Sequence, residues 1–557
     1  MKLDALAAAA GHQPIDYQKL VFDYRPHADQ RAAAPARHPV VVVGAGPVGL
    51  ALAIDLAQQQ VPVVLLDNDH KLSTGSRAIC FSKRSLEIFD RLGCGQPMAD
   101  KGVSWKVGRV FLRGDELYSF DLLPEDGHAR PAFVNLQQYY VEGFLAERAA
   151  ALPLIDVRWQ NKVIDVVQEE GHALLTIETP DGPYALQADW VAACDGSRSA
   201  LRQLLGQESH GRVFRDRFLI ADVKMEVDFP AERWFWFDPD FHRNQSVLLH
   251  RQPDGVWRID FQLGWDADPE AEKRPENIMP RVRALLDASP FKGAEFSLEW
   301  ASVYTFACQR MDAFRHGRVL FAGDAAHGVS PFGARGANSG LQDAENLAWK
   351  LAAVLREQAP DALLDSYARE REMAADENIL NSTRATDFIT PKSEVSRLFR
   401  DAVLQLARRH EFARRLVNSG RLSVPATLHD SVLNTADADA FEGRMVPGAV
   451  AADAPVVLPD GRAGWLLHRL GATQFSVLVF GEGAGAQASL SALAEADLPL
   501  QVERVPLDAA HALAAARYDA QDGTMYLLRP DQHVCARWRR PTAAAVRAAY
   551  DRALARI

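Results

Sequence analysis

The run Val40-Val-Val-Val43, followed at once by Gly44-Ala-Gly-Pro-Val-Gly49, constrains this chain more than any other stretch. Four β-branched residues bounded by glycine read as a buried strand. The apolar stretch Val48 to Ala57 behind them reads as a helix, and Val61 to Leu66 as a second buried strand ending at Asp67. This is a βαβ unit, so the fold class is α/β. Gly44 permits the tight turn, Gly46 lets backbone approach a pyrophosphate, and Gly49 lets the helix pack close to the sheet. With Pro47 and Val48 they form a phosphate grip, because a helix start offers unpaired N–H groups and a positive dipole end. Asp67 stands about 20 residues on, where a carboxylate can accept from a ribose diol. Dinucleotide binding follows; the choice between FAD and NAD does not.

A chain of 557 residues is too long for one ordinary core, so two or three domains are expected. The formal net charge of −11 argues against a nucleic-acid surface. Five cysteines, widely spaced and without a CxxC pair, point to reduced thiols in a cytoplasmic protein. Neither a disulfide framework nor a metal site is predicted. The start, Met1 to Ala10, superficially resembles a signal peptide, but Asp4 and its short apolar stretch make it a small helix or frayed terminus. No apolar run is long enough to span a bilayer, so no membrane partner is expected.

Residues 1–37 read as an N-terminal extension. Within it, 31–37 is linker-like, and Tyr17 to Tyr24 carries enough apolar surface to dock on the body. Residues 157–193 read as a strand meander with a turn at Pro180-Asp-Gly182. Residues 208–305 read as an inserted mixed sheet rich in aromatic strands, among them Trp234-Phe-Trp-Phe237. Strand alternation sends Trp234 and Trp236 to one face and Phe235 and Phe237 to the other. A long helix follows Asn338, 391–446 is a helical linker, and 447–557 alternates strands with helices.

Two further motifs stand in order behind the first. Asp195-Gly-Ser-Arg-Ser199, with Arg202, lies mid-chain; Gly323-Asp-Ala-Ala-His327 runs into Phe332-Gly-Ala-Arg-Gly-Ala-Asn-Ser-Gly340. The trio resembles the single-component FAD-dependent aromatic hydroxylases, the class A flavoprotein monooxygenases. It is most similar to their phenol hydroxylase and 3-(3-hydroxyphenyl)propionate hydroxylase branch. The resemblance covers roughly residues 38–390. It implies a Rossmann-like FAD-binding domain interleaved with a mixed-sheet substrate domain, and a thioredoxin-like C-terminal domain over 447–557. There Pro447-Gly448, Asp453-Ala-Pro455 and Leu528 to Val534 match, while Cys535 stands alone, so a packing or homodimer-forming role is expected. Arg529 and Asp531 read as a turn ion pair and nothing more.

The resemblance also assigns roles. Arg77, preceded by Gly75, pairs with the pyrophosphate, and Gln138, with Glu142 near it, hydrogen-bonds the cofactor. Asp195 and Arg202 serve FAD and NAD(P)H, and Asp195 also caps a helix. Gly323-Asp324 places a carboxylate on ribityl or ribose hydroxyls. Pro331 lines the reaction face, Gly333 and Gly336 let the chain pass the flavin edge, and Ala337 and Asn338 open the long helix. That helix start, aimed at the ring, would stabilise the reduced flavin anion by roughly 1–2 kcal/mol. Ala334-Arg335 stand where many relatives have glycine-glutamine, which puts the substrate side of the ring in question. His327 is expected to hold a turn.

The implied reaction uses NAD(P)H and O2 to hydroxylate a small phenolic substrate through a C4a-hydroperoxyflavin. Epoxidation or oxidation of a quinone-like or polyketide substrate is the alternative. A phenol is most reactive when partly deprotonated, and His250 and Tyr304 are candidate partners for its hydroxyl. A protein that binds a partner without turnover should have lost one of these motifs, and all three are intact.

Overall fold

The computed structural model describes residues 16–73, 77–417 and 423–557. The Met1 to Ala10 segment and Gly75 lie outside the described residues.

The valine run is the buried end of a longer strand, Ala36–Val43. Residues 36 and 37 are therefore not linker: they already pair with Leu186 and Gln187. Four neighbours continue the sheet in parallel. Val63–Leu66 and Ile155–Arg158 lie to one side, and Tyr184–Ala193 and Val319–Phe321 to the other. Parallel strands covered on both faces need apolar residues throughout, and Val40 to Val42 with Val191 to Ala193 are fully buried. The Pro47–Gln58 helix is buried from Gly49 to Ala57 because it lies between this sheet and the Gly336–Leu355 helix. Lys162–Glu169 and His172–Glu178 extend the sheet as an antiparallel meander from Tyr184–Ala193.

The N-terminal extension is tied down. Phe22 stacks on Trp159 at 4.2 Å between centroids, and Tyr17 fills the space above Gly143.

A second sheet of seven strands takes five from the 208–305 segment. It is wider than that segment, because Val107–Leu112 and Asp115–Asp121 complete one edge. Val107–Leu112 pairs parallel with Arg233–Phe237, which a chain can achieve only by returning from afar. The aromatic strand alternates as its sequence requires. Trp234 and Trp236 pack with Phe111 on one face; Phe235 and Phe237 pack with Leu248 and Phe218 on the other.

The C-terminal unit is a four-stranded sheet in the order Gln501–Val505, Ser476–Phe480, Met525–Leu528, Val534–Trp538. Only the first pair is parallel, and the helix Ala484–Ala496 connects it. This unit docks through charge. Arg529 is more than half of a turn ion pair. It donates to Asp531 and also to Glu370 Oε1 at 2.7 Å, on the long helix Leu363–Ile389. Lys350 donates to the same Glu370, at 2.7 Å, and Arg84 reaches Glu345, Gln532 and the carbonyl of Asp531. All are buried. Burial alone would raise the Glu370 carboxyl, but the Arg529 and Lys350 charges hold it well below the ordinary carboxylate range.

Glu370→Gln leaves two buried cations without their shared counter-charge. The expected loss is about 3–5 kcal/mol, read as a lowered midpoint of the first denaturant transition. An unchanged midpoint would show that the docking does not depend on this carboxylate.

Candidate functional site

Register brings the three motifs together. Val43 pairs with Ala193, and Ala193 with Phe321. The three chains thus leave neighbouring parallel strands at their carboxyl ends, where open α/β sheets bind ligands. Contact between the motifs is close enough to require glycine. A Cβ on Gly44, at φ +106°, would lie 2.4 Å from the Cys194 carbonyl oxygen, and one on Gly49 would lie 1.9 Å from that of Gly44. Val48 wedges between Gly323 and Gly340; a Cβ on either would come within 3.0 Å of its Cγ2. Gly46 differs, because its Cβ would meet nothing within 4 Å. Beside that open space the Pro47–Gln58 helix begins with no side-chain cap.

Asp67 sits at the next strand end. Its carboxylate accepts from the Ala45 amide at 2.6 Å and the Asp69 amide at 2.8 Å, so it also shapes the glycine turn. Burial nevertheless raises its carboxyl. Asp195 caps the short helix Ala200–Leu204 through one oxygen, accepting from Leu201, while Oδ1 is buried without a partner among the described residues. Arg202 joins the second motif to the third, donating to the carbonyls of Ser197 and Ala325. Asp324 stands exposed. Protein packed behind it raises its carboxyl, an effect offset in part by His327 and Arg77. Gln138 and Glu142 hold the segment leading to Arg77: Gln138 accepts from the Ala78 amide, and both bind Ser73.

His327 belongs to a brace. Its Nε2 lies 2.7 Å from Asp343, which also accepts from Arg371 at 2.6 Å and from the Gly323 amide at 2.9 Å. Burial would raise Asp343, but His327 and Arg371 outweigh it and hold the carboxyl at about 2. Asp343 and Arg371 carry no motif signal, and only the fold reveals them. The Pro331 turn closes with Ala334 donating to the Pro331 carbonyl, and Ala334 takes a left-handed φ of +52°. Arg335 folds back over Gly333 and donates to Phe332, so it is buried. The Asn338 side chain is engaged by the protein itself. It accepts from the Ser82 amide and Ser85 hydroxyl and donates to the Cys80 carbonyl. Gly336 and Ala337 form the first turn of the Gly336–Leu355 helix, which has no side-chain cap.

The Phe235 face of the second sheet meets this region. Phe218 packs edge-on against Phe332 at 4.8 Å, and Arg258 donates to the Arg77 carbonyl at 3.1 Å. Registry lines Arg233, His250, Arg258 and Asp222 across one end of that face, strand by strand. Arg258 and Asp222 form a bidentate pair at 2.8 Å. His250 is 1% exposed, and its Nε2 lies 3.2 Å from Asp260 but off the line of a hydrogen bond. Burial, then the nearby Arg233 charge, pulls His250 down to about 4, so it is neutral near pH 7. Burial, then Asp260, raises the Tyr304 hydroxyl well above its ordinary range. His250 and Tyr304 thus share an electrostatic neighbourhood with Arg233, which sequence reasoning passed over. The available signal was a charged residue opening an aromatic strand, on the face of Phe235 and Phe237.

Among the described residues no His, Cys, Asp or Glu group could hold a metal ion, and no helix is long and apolar enough to cross a membrane. All five cysteines are buried and unbridged.

A buried imidazole with a depressed value ties stability to acid. As pH falls, the unfolded chain takes up this proton first, near 6.5, so the contribution is complete above 6.5 and lost toward 4. His250→Gln should shrink the fall in unfolding free energy across that window by up to about 3 kcal/mol. Equal pH slopes for the two proteins would contradict a buried neutral His250.

Residues 37–382 match the family model described as FAD binding domain. The chain is 29% identical over 372 residues to a 3-(3-hydroxy-phenyl)propionate/3-hydroxycinnamic acid hydroxylase of Mycolicibacterium smegmatis; the match covers 67% of this chain and 65% of that protein. It is 32% identical over 434 residues to a 6-methylpretetramide 4-monooxygenase of Streptomyces rimosus, covering 74% of each. The fold is similar to that of the flavin-dependent monooxygenase PieE, solved with FAD and substrate. There the TM-score is 0.79 at 19% identity, over 94% of this chain and 100% of that one. With its family model spanning most of the chain, the protein belongs to the FAD binding domain family, that of the class A flavoprotein aromatic hydroxylases.

Proposed function

We propose that this protein is an FAD-dependent monooxygenase that uses NAD(P)H and O2 to hydroxylate a phenolic ring. The observation that carries the reading is the meeting of an open phosphate grip, at three adjacent strand ends, with an aromatic face of a second sheet. The residues fit FAD. The space beside Gly46 is open, Asp195 Oδ1 is an orphaned buried acceptor, and Asp324 is exposed.

Gly44 to Gly49 would hold the pyrophosphate, Asp67 a ribose, and Asp324 the hydroxylated chain. FAD, when bound, would supply the redox chemistry, hydride acceptance from NAD(P)H and activation of O2. The protein's share is to bind, orient and exclude water. Pro331 and Phe332 would form the wall between ring and sheet; Phe218 and Phe306 pack against Phe332. His250, neutral with Nε2 unengaged, would accept a hydrogen bond from a substrate hydroxyl, and Tyr304 would hydrogen-bond it as well.

We also assign residues 38–390 to the FAD-binding part with its inserted sheet, and 447–557 to a thioredoxin-like unit. The strand order and the single parallel pair support the latter. Burial pushes the Cys535 thiol up to about 12, so this unit packs and does not exchange disulfides.

The purified protein should be yellow, and one or more hydroxyaryl compounds should stimulate NAD(P)H oxidation with O2 uptake and a hydroxylated product. Stimulation by non-aromatic compounds alone would overturn the substrate class. Two glycine variants separate grip from scaffold. Gly46→Ala should leave apoprotein stability within about 0.5 kcal/mol yet weaken FAD binding at least about tenfold, because its Cβ enters the phosphate space. Gly49→Ala, with its Cβ on a carbonyl oxygen, should destabilise the apoprotein itself by about 1–3 kcal/mol or more. Equal behaviour of the two variants would place the pyrophosphate elsewhere.

A further inference from the structure

We propose that the helix Glu394–Ala407 is a self-association surface, on which the same helix of a second copy of this chain docks antiparallel. This surface is independent of the hydroxylase reading and does not use the flavin site.

The helix has two apolar faces, and the body of the protein covers one. Arg400, Val403, Leu404 and Ala407 are buried, and Leu404 and Ala407 belong to the aromatic cluster that holds Phe218 and Phe332. Val395, Leu398, Phe399, Ala402 and Leu406 recur at helical spacing on the other side. All five are exposed, Val395 by 77%, Leu398 by 73%, Phe399 by 60% and Leu406 by 45%. The short helix that follows, Glu411–Leu416, packs against this one and leaves Phe412 and Leu416 exposed as well. Of the 26 phenylalanines only Phe399 and Phe412 are exposed. Single apolar residues on a surface need no explanation, but a periodic stripe on a helix whose other face is already buried does.

The size suits a second protein surface. At roughly 100 Å² for each large side chain, the six large ones open on the order of 600 Å². That is the upper end of about 300–600 Å² for the largest patch of a monomer. A stable interface takes about 800 Å² from each partner, polar rim included.

The two halves of the helix differ in shape, and the difference makes the surface complementary to itself. The N-terminal half is a ridge, because Val395, Leu398 and Phe399 protrude. The C-terminal half borders a groove of about 880 Å³, with Ala402, Leu406 and Arg409 on one wall and Leu112 and Leu117 on the other. Antiparallel pairing about a two-fold axis near the helix midpoint sets Val395 opposite Leu406 of the second copy, and Phe399 opposite the small Ala402. Each ridge then enters the other copy's groove, as an isologous contact requires.

Charge selects the same arrangement. Glu394 and Arg409 stand at opposite ends of the stripe, and both are exposed. Among the described residues neither forms an ion pair, whereas Arg400 has Asp401 and Arg415 has Glu411. Antiparallel pairing brings Glu394 of each copy beside Arg409 of the other and opposes the two helix dipoles; parallel pairing would set like charges together. An anionic membrane would also meet Arg408 and Arg409. It would, however, press Glu394, one turn from Leu398, against like charge, and repel a chain of net charge −11. Self-association thus falls in the 391–446 segment, away from the C-terminal unit.

Sedimentation equilibrium of the full FAD-loaded chain should give a dimer with a dissociation constant at or below about 1 µM. The double variant Leu398→Asp/Phe399→Asp should raise that constant at least about 30-fold, with FAD content and far-UV circular dichroism unchanged. Glu394→Arg and Arg409→Glu should each weaken the dimer about tenfold, and the two combined should return it to within about threefold of the original. A monomer at concentrations up to about 100 µM overturns the proposal without any variant. So does a dimer that survives Leu398→Asp/Phe399→Asp. A combined charge swap no better than the single ones overturns the antiparallel pairing. A monomer that floats with vesicles of phosphatidylserine and phosphatidylcholine would assign the stripe to a lipid surface instead.

Discussion

The wedge of Val48 between Gly323 and Gly340 fixes the rest of this structure. It sets the distance between the helix that starts at Pro47 and the helix that starts at Gly336, and so the distance between their positive ends. Neither glycine can gain a methyl group without pushing Val48 away, and Gly323 holds a positive φ of +63° as well. The Asp343 carboxylate then holds Gly323 from behind through its amide, with His327 and the Arg371 guanidinium bonded to it as well. A residue twenty positions along the chain, two turns into the helix, thus decides where the turn before the helix lies. The cost of burying that carboxylate is offset by the Arg371 guanidinium, the His327 ring and a backbone donor, the condition under which a buried charge is tolerated.

The second sheet adds the substrate side by pleat alone. Its inner face divides into an aromatic half and a charged half because successive same-face residues of one strand are Arg233, Phe235 and Phe237. The next strand continues the division with His250 and Leu248; the one beyond places Arg258 in line with His250 but Asp260 in line with Leu248, so a charge enters the aromatic half there. A flavin needs a dry neighbour, which the aromatic half provides. At the border of that half the buried His250 imidazole is held neutral. Removing the Arg233 charge relieves one of the three effects that depress His250, the others being burial and the Arg258 charge.

The sheet positions, the glycine turns and the family were legible because each depends on local chemistry: β-branched runs, positive φ, and a carboxylate at a strand end. The alternation of Trp234 and Phe235 was legible for the same reason. What escaped depends on pairing between distant segments. The strand Val107–Leu112 joins the second sheet in parallel, and nothing in its own sequence announces a partner more than a hundred residues away. Arg233 escaped because a charged residue at a strand start ordinarily faces water. Asn338, at the start of the long helix, turns its amide to Ser82, Ser85 and Cys80, and only the packed structure could show that it ties a separate strand to the helix.

Arg529 and Asp531 give the sharpest contrast between local and global reading. Two residues apart, they look like a turn, and the turn is real. Yet the same guanidinium reaches Glu370, and Asp531 Oδ2 accepts from Trp349, on the helix whose first turn faces the cofactor region. That helix therefore has one end at the site and its middle clamped to the C-terminal sheet. Trp349 also packs edge-on against Phe475 of that sheet at 5.6 Å, so polar and apolar contacts act on the same side chain. A unit without redox cysteines can still matter to flavin chemistry in this way. By fixing the helix along its length, it fixes the orientation of the dipole at the helix start, and a dipole contributes to charge stabilisation only in a fixed direction.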